Sequence, residues 1–208
     1  MKVGSRKDET HLTHLGKFFI EIGTSDFDTF EHLAVKGWKG IFVEPVKELL
    51  DNLTRYDGCI YENCAVLDKM GNATIQYYDP EWAAVWIRGV GSISSPDVPD
   101  INNFHSNPQW KEHRRTREVK VVTLDHLIEK HQVTHIDFLK IDIEGLEYRI
   151  LNNYSWKIKP DIIKVEYKHW DIQSEGTETL EKYGQMLEKL GYVVSNDDLD
   201  MIGILKNE

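Results

Sequence analysis

Short apolar runs that end abruptly in an acid and a turn former recur along the chain. Phe18-Phe19-Ile20-Glu21-Ile22 runs into Gly23-Thr24-Ser25-Asp26, and Gly40-Ile41-Phe42-Val43 runs into Glu44-Pro45. Ile136 to Ile141 ends at Asp142, and Ile162 to Tyr167 carries Glu166 near its end. Brief runs that are apolar on both faces predict buried parallel strands. Helical patterns separate them. Asp26 to Lys36 has Asp26 and Asp28 in its first turn, Phe30 and Leu33 on an apolar face and Gly37 at its end. Val46 to Leu53 follows Pro45, which suits a first helical position. Leu124 to Lys130 is capped by Thr123 or Asp125, Leu146 to Leu151 begins another helix, and Thr177 to Leu190 is closed by Gly191. Cys59 to Val66, Ala73 to Tyr78 and Val119 to Val122 read as further strands, and Tyr192–Val194 with Met201–Leu205 as a closing antiparallel pair. Strands alternating with helices predict an α/β fold with a doubly wound, mostly parallel sheet and an antiparallel C-terminal strand.

Residues 79–117 break this rhythm. Pro80, Pro96, Pro99 and Pro108 lie here with Gly89, Gly91, a serine cluster and the aromatics Trp82, Trp86, Phe104 and Trp110. Such a stretch inside an α/β domain is either a functional loop or a surface insertion pinned by its aromatics. The expected organisation is a polar N-terminal arm over 1–16 and one domain over 17–208 that carries this insertion.

Bulk properties narrow the function. A formal net charge of −10 argues against binding duplex nucleic acid, which needs a basic surface. The two cysteines, Cys59 and Cys64, lack CxxC spacing and read as core thiols. The first residues lack the apolar core of a signal peptide, and no run approaches the ~20 residues that span a bilayer. A cytoplasmic protein is expected.

The first two strand ends carry the strongest chemical signal. A glycine at the end of the first strand lets a ligand approach the backbone. A carboxylate at the end of the second can accept both hydroxyls of a ribose. Together they point to a nucleoside-containing cofactor. A dinucleotide site wants G-x-G-x-x-G, and this loop has Gly23 alone, with Phe27 further on. S-adenosylmethionine has no pyrophosphate to cradle, and Glu21 and Glu44 supply the acids that it needs.

The chain resembles the FkbM-like S-adenosylmethionine-dependent methyltransferases. The carriers are FFIEIGTSDFDTF (18–30), GIFVEPVKELLDNL (40–53), NCAVLD (63–68), GVGSIS (89–94), VKVVTLDHLIEK (119–130) and DFLKIDIEGLEYRIL (137–151), from about Phe18 to Leu205. The resemblance implies a class I methyltransferase (Rossmann-like) fold and O-methylation, commonly of a sugar hydroxyl in a glycan or natural product. It implies that Glu21, Gly23, Thr24 and Ser25 line the methionine end of the cofactor. Glu44, with Pro45 beside it, would hold the ribose, and Asn63, Ala65 and Asp68 would lie near the adenine. Two departures stand out: Phe27 occupies the place of a second glycine, and Glu21 that of a frequent Asp.

Methylating a hydroxyl requires a base, or a metal that lowers the hydroxyl pKa. Asp142, at the end of a central strand, is the leading candidate and would also touch the cofactor. Glu144 follows it and would meet the substrate, unless both acids merely cap the next helix. Lys140, within the strand, needs an acidic partner or reaches the substrate. Glu166 and His169 end the next strand and could join the same rim. Asp142, Glu166 and Asp125 could hold magnesium, but no spacing demands it, so the metal is left unassigned. Gly89 to Ser94 is expected to loop over the acceptor, with Ser92 and Ser94 as polar contacts. Lys111, His113, Arg114, Arg115 and Arg117 could meet an anionic acceptor or form a solvated face. Trp82, Trp86, Tyr77 and Tyr78 could stack on a sugar or anchor the insertion. The reading is an O-methyltransferase of a sugar or glycan. The rivals are a noncatalytic nucleoside-binding module, for which Phe27 is the hint, and an NAD-dependent oxidoreductase.

Overall fold

A computed structural model describes residues 18–27, 29–94, 108–170 and 178–206. Its strands are β1 (Phe18–Ile22), β2 (Lys39–Val43), β3 (Cys59–Glu62), β4 (Ala65–Val66), β5 (Gly71–Tyr78) and β6 (Gly91–Ser94). They continue as β7 (Arg114–Val122), β8 (Phe138–Ile141), β9 (Ile162–Glu166), β10 (Tyr192–Asn196) and β11 (Asp200–Leu205). The helices are α1 (Glu31–Ala34), α2 (Lys47–Asn52), α3 (Val85–Arg88), α4 (Leu124–Lys130), α5 (Glu147–Asn153) and α6 (Leu180–Lys189), with a 3₁₀ turn at Pro108–His113.

The apolar runs assemble into one seven-stranded sheet of order β10-β11-β9-β8-β1-β2-β3. Strands β9 to β3 are parallel to one another, while β11 runs antiparallel to both β9 and β10. Alternate residues of β1 enter opposite layers. Phe19 packs with Phe30, Leu33, Trp38 and Phe42. Ile20 and Ile22 pack with Leu124, Leu127 and Ile150. Fully burying each of these side chains contributes roughly 2 kcal/mol. The chain leaves β1 for β2 on one side and returns to β8 on the other, so the order reverses beside β1, where open α/β sheets bind ligands.

A second sheet, of order β4-β7-β5-β6, covers the carboxyl ends of the first. It absorbs much of the stretch that the sequence leaves irregular. The predicted strand at Val119–Val122 is the end of a nine-residue strand, β7, which pairs with β5 along its length. Residues 89–94 are not the expected loop, because β6 pairs with β5 from Thr74↔Ser94 to Tyr77↔Gly91. The predicted strand 59–66 splits at Asn63, whose Nδ2 donates to the carbonyls of Glu44 and Pro45. Its first half joins the large sheet and its second half the small one.

The helix expected over 26–36 shortens to α1. Ser25 takes a left-handed φ of 48°, and the buried Glu21 carboxylate accepts the Phe30 N–H, which starts the helix there. Pro45 precedes the α2 N-cap, Val46, rather than opening the helix. Thr123 does cap α4, accepting from the His126 amide. The arm at 1–16, Asp28, most of the serine and proline cluster at 95–107, and Thr177 lie outside the described residues. Among the described residues, no helix is long and apolar enough to cross a membrane.

Candidate functional site

A cleft of about 580 Å³, open to solvent, lies over the ends of β1, β2 and β8. Its floor is the β1 turn. Gly23 has φ +79°, and a β-carbon there would stand 1.8 Å from the Asp142 carbonyl oxygen, so only glycine lets β1 and β8 approach this closely. The Gly23 and Thr24 amides both donate to the Val43 carbonyl, which ties the turn to β2. The Glu44 carboxylate takes the next link: Oε2 accepts from the Ser25 amide at 2.9 Å and Oε1 from the Val46 amide at 2.8 Å. One lone pair remains on each oxygen. Burial raises the Glu44 pKa to about 7, against the pull of those two amides. The Ser25 and Thr24 hydroxyls are buried and find no partner among the described residues. Pro45, Val46, Leu49, Ala65 and Val66 give the cleft an apolar wall.

The acids form a second layer. Glu21 is fully buried beneath the turn rather than lining the cleft, and its pKa is raised by burial to about 7. Its Oε1 lies 3.3 Å from Lys140 Nζ, which lies 3.6 Å from Asp142 Oδ2. Lys140 is therefore a bridge between a supporting acid and a cleft acid. Asp142 and Glu144 both line the cleft. Glu144 sits at φ 62°, a strained turn position that places it 3.4 Å from His169 Nε2. Burial first, then Asp142 and Glu147, push the Glu144 pKa up to about 8. Glu166 is raised by burial and by Asp142, Glu144 and Glu147, and its Oε2 has no partner among the described residues. Burial lowers His169 to about 4, so its imidazole is uncharged at neutral pH. Ligating atoms of Glu144, Glu166 and His169 lie within 4.8 Å of one another, as do those of Asp142, Glu147 and Glu166. Four of the expected catalytic and substrate residues thus meet on one rim.

Sequence reasoning missed Glu147. It is fully buried, accepts from the Ile143 and Gly145 amides and from Trp170 Nε1, and so fixes the turn that carries Asp142 and Glu144. The only signal was an acid at the start of a helix. Asp125, weighed as a metal ligand, instead binds the amide and hydroxyl of Ser155 and is not among these acids.

The far wall comes from the second sheet and α3. Gly91 and Ile93 line the cleft, with Ile75 and Tyr77 beside them. Strand alternation turns Ser92 and Ser94 away from it, and neither lines the cleft. Tyr77 faces the cleft, whereas Tyr78 packs with Trp82 and Trp110 on the opposite side. Trp82 stacks on His113, and Arg115 and Arg117 are paired with Asp79 and Glu48. That aromatic and basic surface is an anchor for the insertion. Asn63 stands behind the cleft, holding the backbone after β2, and Asp68 pairs with Arg149. Arg88, which no motif flagged, lines the cleft and bonds Asp26.

A mostly parallel sheet in this order, closed by an antiparallel strand, with a carboxylate-lined cleft at its switch point, defines a class I methyltransferase fold. Residues 13–194 match the family model of the Methyltransferase FkbM domain, and the chain belongs to that family. No curated protein matches the chain.

Proposed function

We propose that this methyltransferase uses S-adenosylmethionine to methylate a hydroxyl group, with a sugar or glycan as acceptor. The observation that carries the reading is Glu44. Its carboxylate is held by two backbone amides at the cleft, with a lone pair left on each oxygen for the two hydroxyls of a ribose. The remaining residues fit the same cofactor. The apolar wall at Pro45, Val46 and Ala65 suits an adenine, and the unpartnered Ser25 hydroxyl suits a polar group at the other end. A dinucleotide fits less well. The first helix begins at Glu31, and among the described residues no helix N-terminus stands at the β1 turn to meet a pyrophosphate.

When bound, the cofactor supplies an electrophilic methyl carbon. The protein's task is then to orient the acceptor hydroxyl and to take its proton. Asp142 lies at the cleft with Lys140 behind it, and its carboxylate oxygen receives that proton. Uncharged His169, beside Glu144, is the second acceptor on the rim. Tyr77 offers its ring to the acceptor from the opposite wall.

Methyl-labelled S-adenosylmethionine, incubated with a panel of sugars and glycosides, tests the reading. Transfer to a hydroxyl is expected. Asp142→Asn should lower the rate by roughly 10²–10⁴-fold, a larger effect than its loss of S-adenosylhomocysteine affinity. An unchanged rate would remove Asp142 from the chemistry. Cofactor binding without transfer to any acceptor would favour the noncatalytic module.

A further inference from the structure

We propose that Arg88, together with the Ser25 hydroxyl, is the anchor for a ligand carboxylate. It rests on the cofactor reading above, which makes that carboxylate the one on the methionine half of S-adenosylmethionine.

The cleft presents Glu44, Asp142 and Glu144, acids that repel a carboxylate whenever they are ionised. Among the described residues that line it, Arg88 is the only lysine or arginine. Its side chain is largely buried, and Nε donates to Asp26 Oδ1 at 2.9 Å. Asp26 is itself fixed, since its Oδ2 accepts from Asn52 Nδ2 at 3.0 Å. The guanidinium is therefore held through Nε. Its two terminal nitrogens meet no acceptor among the described residues. A planar fork held in this way matches the two oxygens of a carboxylate.

Ser25 gives independent support. It is 8% exposed, it lines the cleft, and its Oγ has no partner among the described residues. A buried hydroxyl without a partner carries a desolvation cost that a ligand oxygen would relieve. The two residues are neighbours through Gly89 and Asp26, each adjacent in sequence to one of them. A β-carbon on Gly89, the residue after Arg88, would stand 3.8 Å from that Oγ. The acids across the cleft, Asp142 first, complement the arrangement, because an amino-acid moiety carries an ammonium beside its carboxylate. The insertion therefore does more than cover the acceptor. It reaches back to the cofactor at the end remote from the adenine.

The test compares two ligands that share the adenosine and differ in the amino-acid group: S-adenosylhomocysteine and 5′-methylthioadenosine, which has no carboxylate. Titration calorimetry on the full chain reads both against wild type, Arg88→Met, Arg88→Lys and Ser25→Ala. Arg88→Met should weaken S-adenosylhomocysteine by roughly ten- to a hundredfold and leave methylthioadenosine within a few-fold. Arg88→Lys should recover part of the loss, and Ser25→Ala should cost several-fold on the first ligand alone. Unchanged binding of S-adenosylhomocysteine to Arg88→Met overturns the proposal and leaves Arg88 for an anionic acceptor. A parallel loss of both ligands also overturns it, showing a structural role in the loop. Wild type that binds methylthioadenosine and S-adenosylhomocysteine equally well overturns the anchor while sparing the cofactor reading. Wild type that binds neither overturns both.

Discussion

Gly23 is set by a carbonyl oxygen. The β-carbon of any other residue would fall 1.8 Å from the Asp142 oxygen and would demand a left-handed backbone as well. Gly23→Ala is expected to destabilise the fold by on the order of 3 kcal/mol or more, read as a shifted urea midpoint. A loss below about 1 kcal/mol would mean that the turn can move away from β8. Glu44 works in the same place with opposite freedom, since its oxygens face both backbone and cleft. The glycine and both acids were legible in the sequence because each stands at or next to the end of an apolar run. That Glu21 supports the turn from below, while Glu44 faces the cleft, was not. Both are acids at strand ends, and only the packing of Phe30 and Lys140 against Glu21 separates them. Glu147 and Arg88 were illegible for a related reason. Their partners, Trp170 and Asp26, lie far away in sequence; Glu147 stands within the 137–151 block but reads there as one more acid at a helix start, and Arg88 stands in no motif.

At the scale of elements, the loop after β1 and the insertion are joined by the Arg88–Asp26 pair and by a close packing contact. A β-carbon on Gly89 would meet the Phe27 ring at 2.8 Å. Phe27, where the family usually has glycine, is matched by a glycine on the element facing it. Gly89→Ala alone is expected to cost about 1–3 kcal/mol by overpacking, and Phe27→Ala with Gly89→Ala should recover part of it. Strictly additive effects in denaturant unfolding would show that the two do not share a contact. The large sheet was readable because its central strands are buried on both faces and appear as continuous apolar runs. The second sheet was not. Arg114 to Glu118 are all half-buried or exposed in β7, and the pairing of β5 with β7 joins residues as distant as Gly71 and Val121. Neither period nor propensity in a local window records such a pairing.

At the scale of the whole molecule, the burial of acids predicts how stability follows pH. Glu21, Glu44 and Glu147 rise from 4.5 to about 7 on folding, and Glu144 rises to about 8. Between those values the folded chain holds protons that the unfolded chain has released. Their contribution is complete below about pH 4.5 and is lost as pH rises through 7. His169, lowered to about 4, acts in the opposite sense between 4 and 6.5, but it is one group against several. Unfolding free energy is therefore expected to fall from about pH 5 to about pH 8, and Glu147→Gln should flatten the slope by up to one proton, about 1.4 kcal/mol per pH unit. Stability that rises across that window would contradict these raised values.

The central claim is that Glu44 receives the ribose of an adenosyl cofactor. Calorimetric titration of wild type and Glu44→Ala with S-adenosylmethionine, S-adenosylhomocysteine and NAD tests it most directly. Binding of both adenosyl ligands is expected, with NAD silent and with affinity lost in a Glu44→Ala variant whose far-UV dichroism remains that of wild type. Binding of NAD alone, or undiminished binding of S-adenosylhomocysteine by Glu44→Ala, would contradict it.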